Sequence, residues 1–189
     1  MASIVLAGSS SGAITVAAPA VAGTNTITLP ASTGTIITDT APKAGNILQV
    51  VQTVKTDIFT TTSTTFVDVT GFNATITPSS TSSKILILAT TSYSSSSTGG
   101  LTVFNLLRGS TNISQPDTTP AFNGTMGAYI SASSAIIPAT INFLDSPSTT
   151  SATTYKIQLR TNAGTCLLNG RNTGDGAFTS TLTLMEVAA

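Results

Sequence analysis

The strongest constraint in this sequence is a period of two. In Tyr155-Lys156-Ile157-Gln158-Leu159-Arg160 every second side chain is apolar, and Val67-Asp68-Val69-Thr70 repeats the pattern with β-branched residues. Successive side chains of a strand point to opposite faces, so such stretches suit half-buried β-strands. No window carries a helical period with caps at its ends. Charge supports the same reading. Only 7% of the 189 residues are charged, 7 Lys+Arg against 7 Asp+Glu, and there is no His. The Glu, Lys and Arg that make surface helices favourable are therefore scarce, whereas Thr and Val fit a pleated surface. The expected class is all-β.

The same numbers exclude several functions. A chain with zero formal net charge lacks the Lys and Arg that follow nucleic-acid phosphates, so no nucleic-acid partner is expected. It also lacks a cationic stripe for an anionic membrane surface. The longest strongly apolar run, Ile85-Leu86-Ile87-Leu88-Ala89, is too short to cross a bilayer, and no membrane insertion is expected. The start, Met1-Ala2-Ser3-Ile4, has no basic region of the secretory type. Apolar residues make up 40%, too many for charge-driven disorder. The single cysteine, Cys166, allows no internal disulfide and no Cys-rich metal site. It reads as a small buried residue.

Two regions differ in texture. Residues 1–44 contain no aromatic side chain, and their only charges are Asp39 and Lys43. Short strands are expected at 4–6, 13–16, 26–29 and 34–37. Each is too short, and its side chains too small, to close a core alone. This segment reads as an extended β-arm that needs other chains, with Val5, Ile14, Val16, Ile27, Leu29 and Ile36 facing a partner. Pro42-Lys43-Ala44-Gly45 marks the junction. Residues 45–189 carry all the aromatics and eight to ten expected strands, near 47–59, 65–69, 74–77, 84–93, 102–108, 125–131, 134–144, 155–161, 165–168 and 177–186. Turn signals such as Gly71, Gly99-Gly100, Asn123-Gly124 and Asp175-Gly176 separate them. That spacing predicts an antiparallel β-sandwich, jelly-roll-like. Its expected core includes Val51, Val54, Phe66, Val69, Ile76, Ile85, Ile87, Val103, Leu106, Ile141, Phe143, Ile157, Leu159, Leu182 and Leu184. Ser94-Ser95-Ser96-Ser97-Thr98-Gly99-Gly100 reads as a mobile hairpin tip, and 109–127 as a long surface loop suited to recognition.

Catalytic motifs do not assemble. Gly8-Ser9-Ser10-Ser11-Gly12 matches the nucleophile-elbow pattern on paper, but the chain has no histidine base and no helix follows. The acids Asp39, Asp57, Asp68, Asp117, Asp145, Asp175 and Glu186 are scattered, so a glycosidase pair would have to meet through the fold. Asp175 between glycines reads as a hairpin turn and not as a calcium loop. No enzyme, cofactor or metal site is expected. The asparagines of Asn73-Ala74-Thr75, Asn112-Ile113-Ser114 and Asn123-Gly124-Thr125 satisfy the glycosylation pattern, which a chain rich in Ser and Thr meets by chance. Arg108, Arg160 and Arg171 are scarce cations, each suited to a carboxylate, a subunit contact or a sugar. Candidate receptor-binding residues are Tyr93, Phe122 and Tyr129, as saccharide-stacking rings, and Arg171.

The segment Ser11-Gly12-Ala13-Ile14-Thr15-Val16-Ala17-Ala18-Pro19-Ala20-Val21-Ala22-Gly23-Thr24-Asn25-Thr26-Ile27-Thr28-Leu29-Pro30-Ala31 resembles one that recurs in virion proteins of tailed phages, including cyanophages, mostly tail fibres. Thr64-Thr65-Phe66-Val67-Asp68-Val69-Thr70-Gly71, Ile76-Thr77-Pro78, Ser82-Ser83-Lys84-Ile85-Leu86-Ile87, Phe104-Asn105-Leu106-Leu107-Arg108-Gly109-Ser110 and Leu182-Thr183-Leu184-Met185-Glu186-Val187 resemble a β-domain at fibre C-termini. The resemblance implies an intertwined homotrimer on the surface of a phage virion. It implies a short tail fibre whose arm docks on other virion proteins of the tail or baseplate and whose sandwich binds a host surface glycan. The missing repeat shaft keeps a second reading open, a trimeric capsid decoration (cement) protein on the phage head. A saccharide-degrading tailspike ranks third.

Overall fold

The structure is a computed structural model and describes residues 3–7, 12–17, 42–117 and 121–189. The chain divides into two compact units, Met1–Ile36 and Ile37–Ala189. In the first, β1 (Ser3–Ala7) and β2 (Ala13–Ala17) pair antiparallel, from Ser3 opposite Ala17 to Ala7 opposite Ala13. Val5, Leu6 and Val16 are exposed. The side chain of Ile14 lies outside the described residues, as do Ile27, Leu29, Ile36 and the strands expected at 26–29 and 34–37.

The second unit is built from β3 (Ile47–Lys55), β4 (Phe59–Thr61), β5 (Val67–Ile76), β6 (Lys84–Ser95), β7 (Leu101–Arg108), β8 (Thr111–Asn112), β9 (Met126–Tyr129), β10 (Ile137–Asp145), β11 (Thr153–Thr161), β12 (Cys166–Leu168) and β13 (Ser180–Val187). The long strands form two antiparallel sheets. Sheet I runs β3-β13-β6-β10, with β12 and β4 extending it beside the far end of β6. Sheet II runs β5-β11-β7-β9, with β8 on the same edge of β7 as β9. Successive long strands pass from one sheet to the other, except β7 and β9, which share sheet II. Eight strands connected in this order are a jelly roll.

Alternation decides which side chains meet between the sheets. Tyr155, Ile157 and Leu159 on β11 and Ile85, Ile87, Ala89 and Tyr93 on β6 are buried, as are Phe72, Phe104, Leu106, Leu182 and Leu184. Each large side chain removed from water contributes roughly 1.5–3 kcal/mol. Tyr93 and Phe104 meet edge-on with centroids 5.1 Å apart. Twelve of the expected core positions are buried or half-buried and packed inward, while Val103 is buried on the outer face of sheet II and Phe66 half-buried there. Val54 is the exception, at 52% exposed. Lys55, not Val54, points inward from β3; its ammonium is buried and held by Asp57 at 2.7 Å.

Two further expectations are corrected. The strands expected at 65–69 and 74–77 are one strand, β5, which bulges opposite Ile157 between Asp68 and Asn73. Gly71 sits in that bulge at φ +74°, a conformation glycine adopts without strain. The Ser94–Gly100 segment is not a free tip. Ser94 and Ser95 end β6 fully buried, and Gly100 is buried too.

Because charge is scarce, few charged side chains are buried, and Lys55, Asp145 and Glu186 are each anchored. Asp145 of β10 accepts from Arg108 Nη1 at 2.9 and 2.8 Å and from the Tyr155 hydroxyl at 2.7 Å, tying sheet I to sheet II. Asn169 donates to Lys55 O at 2.9 Å and accepts from the Ser180 hydroxyl at 2.5 Å. Glu186, on β13, is fully buried. It accepts from Gln49 Nε2 at 2.5 Å and from Ser79 N and Oγ at 2.7 and 2.6 Å. Burial alone raises its pKa, but these hydrogen bonds outweigh burial and hold the carboxyl below the usual glutamate value of 4.5. It pins the β5–β6 turn to β3 and β13.

The sign follows from that depressed pKa. Glu186 stabilises the fold above its unfolded pKa, and the contribution is lost as pH falls through the folded value. Glu186→Gln replaces one acceptor with a donor facing other donors. Thermal unfolding at neutral pH should show a loss of about 1–3 kcal/mol. The deficit should shrink as pH falls through the lowered folded value, where the native carboxyl takes a proton.

Candidate functional site

Strand β7 is buried along both faces. Phe104 and Leu106 face the core, while Leu101, Val103, Asn105 and Leu107 face outward and are almost as buried. The cover is the β8–β9 loop. Ile113 N donates to Leu106 O at 3.2 Å and Thr125 N to Phe104 O at 2.8 Å, while Thr125 Oγ1 accepts from Leu106 N at 2.9 Å. A Cβ on Gly124 would lie 2.4 Å from Val103 Cγ1 and 2.7 Å from Phe104 O. Only glycine lets the loop approach this closely.

Arg160 of β11 stands opposite Val103 on this outer face. Its guanidinium carbon lies 4.8 Å from the Phe66 ring centroid and 5.5 Å from that of Phe122. Nη2 donates to Ala121 O at 2.8 Å, so Arg160 also holds the loop. With Thr64, Leu101, Val103, Phe122, Thr161 and Asn162 it lines a cavity of about 220 Å³. Arg160 Nε and the neighbouring Asn105 Oδ1 are buried with no hydrogen-bond partner among the described residues. Such groups cost roughly 1–3 kcal/mol each. Tyr129, 63% exposed, stands opposite Leu101 at the rim.

Lys156 and the other two arginines are occupied. Lys156 Nζ lies 2.8 Å from Asp68 and Gln158 Nε2 2.7 Å from it; these two donors hold the Asp68 carboxyl below its usual range. Arg108 is spent on Asp145 and Arg171 on Asp175. Of the three arginines, Arg160 alone has no carboxylate among the described residues.

The sequence-predicted site residues do not converge. Tyr93 is fully buried between the sheets, with its hydroxyl pushed up to about 12 by burial. It is a core residue and not a receptor contact, because β6 turns its odd-numbered side chains inward. Arg171 braces a turn through Asp175 at 2.7 Å and Ser134 O at 3.1 Å, and Asp175 also accepts from Thr173. Asp175 therefore belongs to the expected turn. Phe122 and Tyr129 are exposed on sheet II. Arg160 was legible only as one scarce cation; nothing local announced that Phe66 and Phe122 would flank it.

No catalytic constellation is present among the described residues. They hold no group of three or more His, Cys, Asp or Glu able to bind a metal ion. The Cys166 thiol is buried and pushed up to about 11, far from a reactive thiolate. Asp145 and Glu186 are consumed by structural donors.

No protein-family model and no curated protein matches the sequence. Solved structures do resemble the chain. A structure of infectious bursal disease virus, Gt strain, is 13% identical with a TM-score of 0.43, over 97% of this chain and 46% of that one. The T13 viral particle of the same virus is 10% identical at 0.41, over 94% and 42%. Its VP2 subviral particle is 11% identical at 0.41, over 79% and 39%. This chain thus spans less than half the length of these neighbours. At such scores the jelly-roll assignment rests on the strand order itself. These neighbours are virus particles and a particle protein, and the expectations of a bacteriophage origin and of a tail fibre are corrected accordingly.

Gly124→Val should unseat the β8–β9 loop without abolishing the sandwich. The overpacking is expected to cost about 1–3 kcal/mol. Hydrogen exchange at Ile113 and Thr125 should accelerate, while β6 and β11 keep their protection.

Proposed function

We propose that this chain is a non-enzymatic structural subunit of a virus particle, seated on the shell as a decoration protein. Jelly rolls recur in viral shells and in lectins, and the fold alone does not choose between them. The observation that favours the shell is the outer face of sheet I. There the register aligns Val50, Met185, Leu86 and Leu144 across four strands. The next rows are Gln52, Thr183, Leu88 and Asn142, then Val54, Thr181, Thr90 and Thr140. None of these positions carries a charge. Val50 is 56% and Leu144 49% exposed. At the usual strand spacing the apolar row is roughly 14 Å wide. A continuous uncharged face of this kind suits burial against protein. The arm adds exposed Val5, Leu6 and Val16, and its role is attachment to neighbouring subunits. Homotrimeric grouping, with residues 1–44 as the attaching arm, completes the reading.

Sedimentation of the full chain tests it. The expected species is three times 19.0 kDa. A Val50→Asp, Leu144→Asp double variant should sediment as a smaller species with an unchanged melting temperature, since both side chains are exposed. A truncation lacking 1–44 should stay folded but lose attachment to particles. A full chain that stays monomeric at its highest soluble concentration, indifferent to these changes, overturns the proposal.

A further inference from the structure

We infer that the cleft around Arg160 binds a carboxylate-bearing sugar, of the uronic or sialic acid kind. The inference stands apart from assembly, because the cleft lies on sheet II and the uncharged rows on sheet I.

Three observations converge there. The Arg160 guanidinium is pre-positioned between Phe66 and Phe122, at 4.8 and 5.5 Å. A guanidinium has five N–H donors. One is used, by Ala121 O, and buried Nε has no partner among the described residues. Arg160 therefore lines the cleft with Nη donors to spare, and no carboxylate among the described residues pairs with it. A charge so placed favours an incoming anion, and a planar carboxylate matches guanidinium geometry.

The second observation is the cavity itself, about 220 Å³, large enough for a single ring and too small for an extended chain. The third is the character of its walls. Phe122 lines the cavity as an exposed ring, and Tyr129, exposed opposite the lining residue Leu101, adds a second ring beside it on which the apolar face of a sugar stacks. Asn162 accepts from Leu101 N through Oδ1 at 2.6 Å, which orients its amide NH₂ as a donor for hydroxyls. Thr64 adds a hydroxyl to the lining. Rings, an oriented amide and a lone cation together select an acidic sugar over a neutral one.

The test uses the full chain and the methyl glycosides of glucuronic acid and N-acetylneuraminic acid, with methyl glucoside and acetate as controls. Amide and Arg Nε–H chemical shifts are followed by titration. The expected result is saturable shifts at Arg160, Asn162 and Tyr129 with at least one acidic glycoside, at least tenfold tighter than with either control. Arg160→Gln should remove that preference. Because Arg160 also holds the loop, Tyr129→Ala serves as a second variant; it should weaken the acidic glycoside at least threefold with an unchanged melting temperature. Equal binding of acidic and neutral glycosides, no binding of either acid, or an unaltered affinity in Tyr129→Ala overturns the inference. Which acid binds more tightly separates the uronic from the sialic source.

Discussion

Burial of β7 on both faces is the constraint from which the rest of the sandwich follows. Its inward side chains, Phe104 and Leu106, meet sheet I, while Leu101, Val103 and Leu107 need a cover of their own. A strand with apolar residues in succession cannot face water on either side. The β8–β9 loop supplies the cover, docked by backbone hydrogen bonds to Phe104 and Leu106. Gly124 makes the approach close enough. Arg160 and its two phenylalanines then hold the loop's far end. The cleft is a by-product of that closure, formed where the loop leaves the sheet.

The two sheets consequently differ in what they offer. Sheet II is covered by its own chain over β7 and carries Asp68, Lys156 and Arg160 on its outer side. Sheet I is uncharged along three ladder rows and exposes Val50, Val54 and Leu144. A face without charge meets a protein neighbour with no ion to desolvate, and burying an unpaired ion is expensive. This asymmetry gives the sandwich a side suited to neighbours and a side suited to a small polar ligand.

With so few charges, stability at the seams depends on single polar groups. Asp145 couples the sheets through Arg108 and Tyr155. Glu186 fastens the β5–β6 turn. Asn169, at φ +62°, joins Lys55 to Ser180. Each is a buried group satisfied by donors or acceptors from distant segments, so loss of one partner leaves the others desolvated and unpaired.

Local pattern was enough for much of the fold. Period-two alternation on β11 and β6 placed Ile157, Leu159, Ile85 and Ile87 inside, and glycine-bearing turns separated most strands, because both signals act between near neighbours in the chain. Where alternation was broken, the reading slipped. Val54, expected in the core, is exposed while Lys55 points inward, the bulge at Gly71 split β5 in two, and Tyr93 was read as a ligand contact although it faces the core. The sequence by itself determined an all-β sandwich with little charge and the parity of most of its strands. Only the tertiary structure decided which charges found partners, that Phe66 and Phe122 flank Arg160, and which sheet carries the uncharged rows. Those outcomes depend on segments far apart in the chain, and no local period records which of them meet.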